Sequence, residues 1–222
     1  MDIQTNYIQT TKMARYSTYG QISPKTKYFW MVLHGSNMLC EQMLYKFSDF
    51  DPEEHFVIAP EALSRFYKDR FGGDVLAAWM TRRDRLQEIA DIATYLTALW
   101  EMHVSQVASS CRRIAMGFSQ GGTMLYRWLH AAPISLDFTI CYSGWIPEDI
   151  DLNQAKTDWA DVAQLFTYGE SDHLLTQERM TQVSDIIKRN QLNLTIEPYD
   201  GEHRVSRDQL YSLWEKYFKM PD

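Results

Sequence analysis

The stretch Gly117-Phe118-Ser119-Gln120-Gly121 constrains this chain more than any other. Residues 112–116, just before it, form a short, mostly apolar run that reads as a strand. Residues 122–129, just after it, read as a helix with Leu125, Trp128 and Leu129 on one face. The chain must reverse between the two within a few residues. That reversal forces the serine into a sparsely populated backbone conformation, and such strain collects at functional sites. Glycine at 117 and 121 removes the Cβ atoms that would hold strand and helix apart. The Ser119 hydroxyl then projects above the sheet. The Gln120 amide sits at the positive end of the new helix, where an anion is stabilised. An ordinary Rossmann-like strand–turn–helix shares this pattern, so the serine needs partners elsewhere in the chain.

The rest of the chain alternates strand and helix patterns. Residues 28–33, Tyr-Phe-Trp-Met-Val-Leu, are a continuous apolar run, as expected of a central strand buried on both faces. Residues 39–47 read as a helix, and 55–59 as another short buried strand. Residues 61–80 read as a long polar and aromatic loop carrying Gly72-Gly73, and long loops are often functional. Thr81 and Asp84 resemble a capping box for a helix to about His103, with Leu86, Ile89, Ala93, Leu96 and Trp100 facing the core. Further strands are expected at 136–142, 162–168 and 192–199, and helices at 176–190 and after Ser206. Residues 148–161 read as acidic and irregular. The alternation predicts an α/β fold with a mostly parallel central sheet flanked by helices on both faces. No repeat or linker divides residues 1–222, so a single domain is expected.

Charge and cysteine content narrow the partners. A net charge of −7 disfavours nucleic acid and anionic membrane surfaces. Cys40, Cys111 and Cys141 match neither a disulfide framework nor a zinc pattern, so reduced thiols in the cytoplasm are the simplest reading. No charge-free apolar run approaches the roughly 18 residues of a membrane span. The aromatic surplus permits a homodimer without requiring one.

In an open α/β sheet, ligands bind outside the carboxyl ends of the strands. The polar residues just after the expected strands are His34, Ser119, Ser143, Asp172 and His203. Ser119, Asp172 and His203 follow the chain order of a nucleophile, acid and base set on such a sheet. A serine hydroxyl is a poor nucleophile until a base takes its proton, and imidazole titrates near neutral pH. Asp172 would orient the imidazole, with Asp200 as the competing acid close to His203. The Gln120 amide would be one oxyanion donor, and Gly35 or Ser36 would supply the second. His34 reads as structural support for that loop. His173 beside Asp172 has no second ligand at helical spacing, so no metal is expected. His55, His103 and His130 read as surface or helix-end residues, and Cys141 as core.

Leu33-His34-Gly35, Gly117-Phe118-Ser119-Gln120-Gly121-Gly122, Ser143-Gly144-Trp145-Ile146-Pro147, Gly169-Glu170-Ser171-Asp172 and Gly201-Glu202-His203 occur in that order. Together they resemble the carboxylesterase/phospholipase family of α/β-hydrolases, which includes acyl-protein thioesterases and lysophospholipases. The resemblance spans roughly residues 28–218. It implies Ser119, Asp172 and His203 as a catalytic triad, the amides of Ser36 and Gln120 as the oxyanion hole, and no metal or organic cofactor. It also implies a small-molecule ester substrate. Trp79, Met80, Phe118 and Trp145 would form the apolar pocket. Where the family follows His-Gly with a second glycine and an aspartate, this chain has Ser36-Asn37-Met38, and Asn tolerates left-handed geometry. Residues 65–85, rich in arginine and aromatics, are unlike the thioesterase pattern and read either as a solvated surface loop or as a substrate wall favouring a small or anionic acyl or leaving group. The expected activity is a carboxylesterase acting through an acyl-enzyme. An acyl thioesterase or lysophospholipase would use the same triad, and a hydrolase-fold binding protein without turnover is the reading from another class.

Overall fold

A computed structural model describes residues 1–132 and 134–221. Seven strands form the main sheet: β1 (Tyr16–Tyr19), β2 (Tyr28–Leu33), β3 (His55–Pro60), β6 (Arg112–Phe118), β7 (Phe138–Tyr142), β8 (Ala163–Gly169) and β9 (Leu194–Tyr199). Their order is β1-β3-β2-β6-β7-β8-β9, with only β1 antiparallel to its neighbour. Between them run α1 (Cys40–Leu44), α2 (Arg85–Val104), α3 (Gln120–Ala131), α4 (Leu152–Asp158), α5 (Gln177–Asn190) and α6 (Arg207–Leu213). The hairpin strands β4 (Ser64–Asp69) and β5 (Gly72–Ala78) form a separate antiparallel pair.

Strand β2 shows why the sheet has helices on both sides. All six of its residues are buried. Phe29, Met31 and Leu33 enter the core that α2, α3 and α5 cover. Tyr28, Trp30 and Val32 enter a second core with Met43 of α1 and Leu210 of α6. Alternation along the strand therefore feeds two apolar layers, and no polar face remains. Among the described residues no helix is long and apolar enough to cross a membrane.

The structure departs from sequence expectation in several places. The expected loop at 61–80 is largely the β4–β5 hairpin, turning through Arg70 at φ 45° and Gly73 at φ 82°. Most of it is exposed on both faces, so it lacks the apolar alternation that marks a half-buried strand. Residues 148–161 contain α4, whose first amides, of Asn153 and Gln154, donate to the Asp151 carboxylate. Asp84 does not cap α2 with its side chain. Instead, Glu88 reaches back to accept the Thr81 amide at 2.7 Å. Leu86 is exposed rather than inward, since the fully buried face of α2 starts only at Ile92. His55 is buried within β3 rather than at the surface, and His103, in the last turn of α2 as expected, is buried too. His55 accepts the indole N–H of Trp30 and stacks on Tyr28, so its polar edge is satisfied within the core.

Candidate active site

The elbow forms as its sequence dictates. Strand β6 ends at Phe118 and α3 starts at Gln120, so Ser119 alone makes the reversal, at φ 52° and ψ −119°. Its amide donates to the Tyr142 carbonyl on β7 at 2.9 Å, and its carbonyl accepts the Gly122 amide at 3.0 Å. A Cβ on Gly117 would lie 2.3 Å from the Gly121 carbonyl oxygen, and one on Gly121 would lie 2.4 Å from that of His34. Those distances leave no room for any other residue. The Gln120 N–H is among the first amides of α3, which have no intrahelical acceptor.

Asp172 and His203 come from the turns after β8 and β9. The turns are tied together by the Ser171 amide, which donates to the Gly201 carbonyl at 2.8 Å. Two tyrosines position the loop that carries His203. The Tyr199 hydroxyl donates to the Arg204 carbonyl at 2.6 Å, and the Tyr142 hydroxyl accepts the Ser206 amide at 3.2 Å. His203 Nδ1 lies 2.7 Å from Asp172 Oδ2, and its Nε2 lies 3.0 Å from Ser119 Oγ. The other oxygen of Asp172 accepts the amides of Leu174 and Leu175 at 2.8 and 3.1 Å. Burial of Asp172 opposes its charge, but the hydrogen bonds from His203 and these two amides outweigh it and hold the carboxyl below its usual range. Asp200, the competitor named from the sequence, is exposed, and the carboxylate that meets His203 is that of Asp172.

On the other side of Ser119 lies the turn after β2. Asn37 takes the left-handed conformation at φ 64°, and its amide donates to Ala77 at the base of the hairpin, at 2.9 Å. His34 is fully buried. Its Nδ1–H donates to the Gly35 carbonyl at 2.7 Å and its Nε2 accepts the Ala62 amide at 3.0 Å. Burial pushes its pKa down to about 4, so at neutral pH it is an uncharged strut. Trp79 Nε1–H donates to the His34 carbonyl at 2.6 Å. Ser36, between these anchors, is exposed.

A cleft of about 410 Å³ opens beside Ser119, Gln120 and His203. Among the pocket residues expected from the sequence, Trp145 lines it. Trp79 and Met80 do not: both are buried, held by hydrogen bonds to the Gln120 side chain. Phe118 packs on the His203 ring, with centroids 5.0 Å apart, and against Gly35. Thr123, Ser143, Leu174, Leu175, Arg179 and Gln182 also line the cleft, with Gly144. Ser143 stood out from the sequence as a strand-end residue. Arg179 and Gln182 did not, although their spacing of three puts them on one face of α5.

Away from this cleft, Cys40, Glu41 and Glu61 bring three ligand-type atoms within 4.8 Å of one another. Their charge is already compensated by Arg15 on Glu41 and Arg65 on Glu61. Burial pushes the Cys40 thiol up to about 11, which keeps it protonated.

The chain matches the family model described as Phospholipase/Carboxylesterase over residues 43–217, which contain Ser119, Asp172 and His203. No curated protein matches the sequence. Solved structures do. Acyl-protein thioesterase 2 from Zea mays is 17% identical with a TM-score of 0.67, covering 92% of this chain and 97% of its own. Esterase PE8 is 18% identical with a TM-score of 0.63, covering 91% of this chain and 98% of its own. The Bacillus cereus carboxylesterase is 11% identical with a TM-score of 0.64, covering 93% of this chain and 95% of its own.

Proposed function

Because this chain belongs to the phospholipase/carboxylesterase family of α/β-hydrolases, we propose that it cleaves carboxylic esters through an acyl-enzyme formed on Ser119. The observation that carries this reading is the unbroken hydrogen-bond line from Ser119 Oγ through His203 to Asp172, at 3.0 and 2.7 Å. His203 Nε2 takes the hydroxyl proton as Oγ attacks the ester carbon. Asp172 holds the ring and stabilises the imidazolium that forms. The amides of Gln120 and Ser36 receive the oxyanion, each such donor being worth about 3–4 kcal/mol of barrier. The tetrahedral intermediate then expels the alkoxide, which takes the proton from His203. Water, activated by the same imidazole, hydrolyses the acyl-serine. The reaction uses no metal or organic cofactor.

Hydrolysis of p-nitrophenyl esters, acetate through laurate, by wild type and Ser119→Ala tests the proposal. The expected loss in the variant is on the order of 10⁶ in kcat. Turnover that survives the substitution overturns it, and wild type inert on every ester brings forward a hydrolase-fold binding protein. A thioesterase is the second reading, favoured by the likeness to the maize acyl-protein thioesterase 2. It uses the same three residues, and competition between matched oxygen-ester and thioester substrates separates the two.

A further inference from the structure

The chemistry at Ser119 leaves part of the cleft lining, Arg179 and Gln182 among it, without a role. We propose that this part of the lining is a carboxylate subsite built around Arg179, so that the ester cleaved by this chain carries a free acid group. The inference rests on the esterase reading and names the substrate class for the same site.

Charge is the first support. The chain carries a net charge of −7, yet among the described residues the cleft lining holds no Asp or Glu, and its one permanently charged side chain is Arg179. Asp172 does not project its charge into the cleft, since it is buried and both its oxygens are engaged. Among the described residues no carboxylate pairs with Arg179. Its Nη1 donates to the Leu174 carbonyl at 2.8 Å, which anchors the guanidinium on the turn behind Asp172 and leaves its other N–H groups unengaged. By contrast, Arg189, farther along α5, pairs with Glu148.

The second support is independent of charge. Ser143 lines the same cleft, is 3% exposed, and its hydroxyl has no hydrogen-bond partner. A buried polar group left unpaired is costly, and a ligand oxygen removes that deficit once the wall at Ser143 shifts to admit it. The Gln182 amide adds a neutral donor on the Arg179 face of α5. One guanidinium with neutral donors around it suits a planar, singly charged carboxylate, which takes paired N–H groups from a single arginine. A doubly charged phosphate calls for more than one cation. Trp145, Leu174 and Leu175 supply apolar wall in the same cleft, against which the carbon chain of such an ester would pack.

The test compares two pairs of substrates. p-Nitrophenyl butyrate against p-nitrophenyl hydrogen succinate places the carboxylate on the acyl side. Phenyl acetate against 4-acetoxybenzoate places it on the leaving side. In wild type, kcat/KM is expected to favour the charged member of one pair. Arg179→Gln should lower that charged-to-neutral ratio about tenfold, mainly through KM. Arg189→Gln, the same charge change on the same helix, should leave the ratio where it was. Neutral substrates preferred in both pairs, or a ratio that Arg179→Gln does not move, overturns the carboxylate subsite while the esterase reading stands. Hydrolysis of neither member of either pair overturns both.

Discussion

Gln120 clasps the backbone at Trp79. The Trp79 amide donates to Gln120 Oε1 at 2.8 Å, and Gln120 Nε2 donates back to the Met80 carbonyl at 2.8 Å. Trp79 in turn bonds the His34 carbonyl through its indole N–H. The residue after Ser119 therefore fixes the end of the hairpin, and the hairpin holds the turn that carries Gly35 and Ser36. The Gln120 side chain is thereby linked, through Trp79, to the turn that carries Ser36, whose amide is the second proposed for the oxyanion.

Gln120→Ala removes both bonds and strands the Trp79 amide and Met80 carbonyl. Stability should fall by about 1–3 kcal/mol in urea denaturation. Ester turnover should fall by about 10²-fold as the Ser36 side loosens, since small misplacements of a catalytic group cost that much. Gln120→Glu keeps the acceptor for Trp79 and should recover part of both. Full activity in Gln120→Ala would show that the clasp does not position the site.

Asp172→Asn places a donor opposite His203 Nδ1, which favours the wrong tautomer for accepting the Ser119 proton. We expect kcat to fall by about 10⁴. Asp200→Asn, on the exposed residue nearby, should leave kcat unchanged. The reverse ranking in steady-state kinetics would move the acid role to Asp200.

Gly121→Ala forces a methyl to within 2.4 Å of the His34 carbonyl oxygen and 2.6 Å of that of Leu33. Both are backbone atoms, so β2 or α3 must shift. The loss should reach about 3 kcal/mol or more, at the upper end of overpacking costs. It should appear as a lower urea midpoint with an unchanged slope. A midpoint equal to wild type would mean that β2 and α3 separate freely.

Acid should weaken the fold before the carboxylates titrate. Burial lowers His34 and His55 to about 4. The unfolded chain binds protons on both near pH 6.5, so between about pH 6.5 and 4 it binds more protons than the native state and stability falls as pH falls. From pH 7 to 5 the pair should cost on the order of 2–4 kcal/mol. Asp172 and Asp149 are held below their ordinary range, so their contribution is lost only at lower pH, as it falls through those depressed values. Urea midpoints that stay flat from pH 7 to 5 would show that these two histidines take up protons in the native state.

What the sequence determined by itself is what depends on neighbouring residues. The run at 28–33 has no polar position, so only a strand covered on both faces can use it. The glycines around Ser119 declare a reversal that no other residue permits. Asp172 and His203 declare themselves because each follows a strand pattern and a glycine-bearing turn. What only the tertiary structure decided depends on chain brought in from afar. Trp79 reads as a pocket aromatic until Gln120, 41 residues away, bonds its backbone and the core closes over its ring. The hairpin that ends there is exposed, so burial left no periodic mark on its sequence. Arg179 looks like any charge in a first helical turn, because its sharing of one cleft with Ser119 and Trp145, 60 and 34 residues away, is set by how α5 docks on the sheet. Backbone strain and strand burial are local demands on residue type and can be read in order. The lining of a cleft is a meeting of distant surfaces, and packing alone selects which side chains face it.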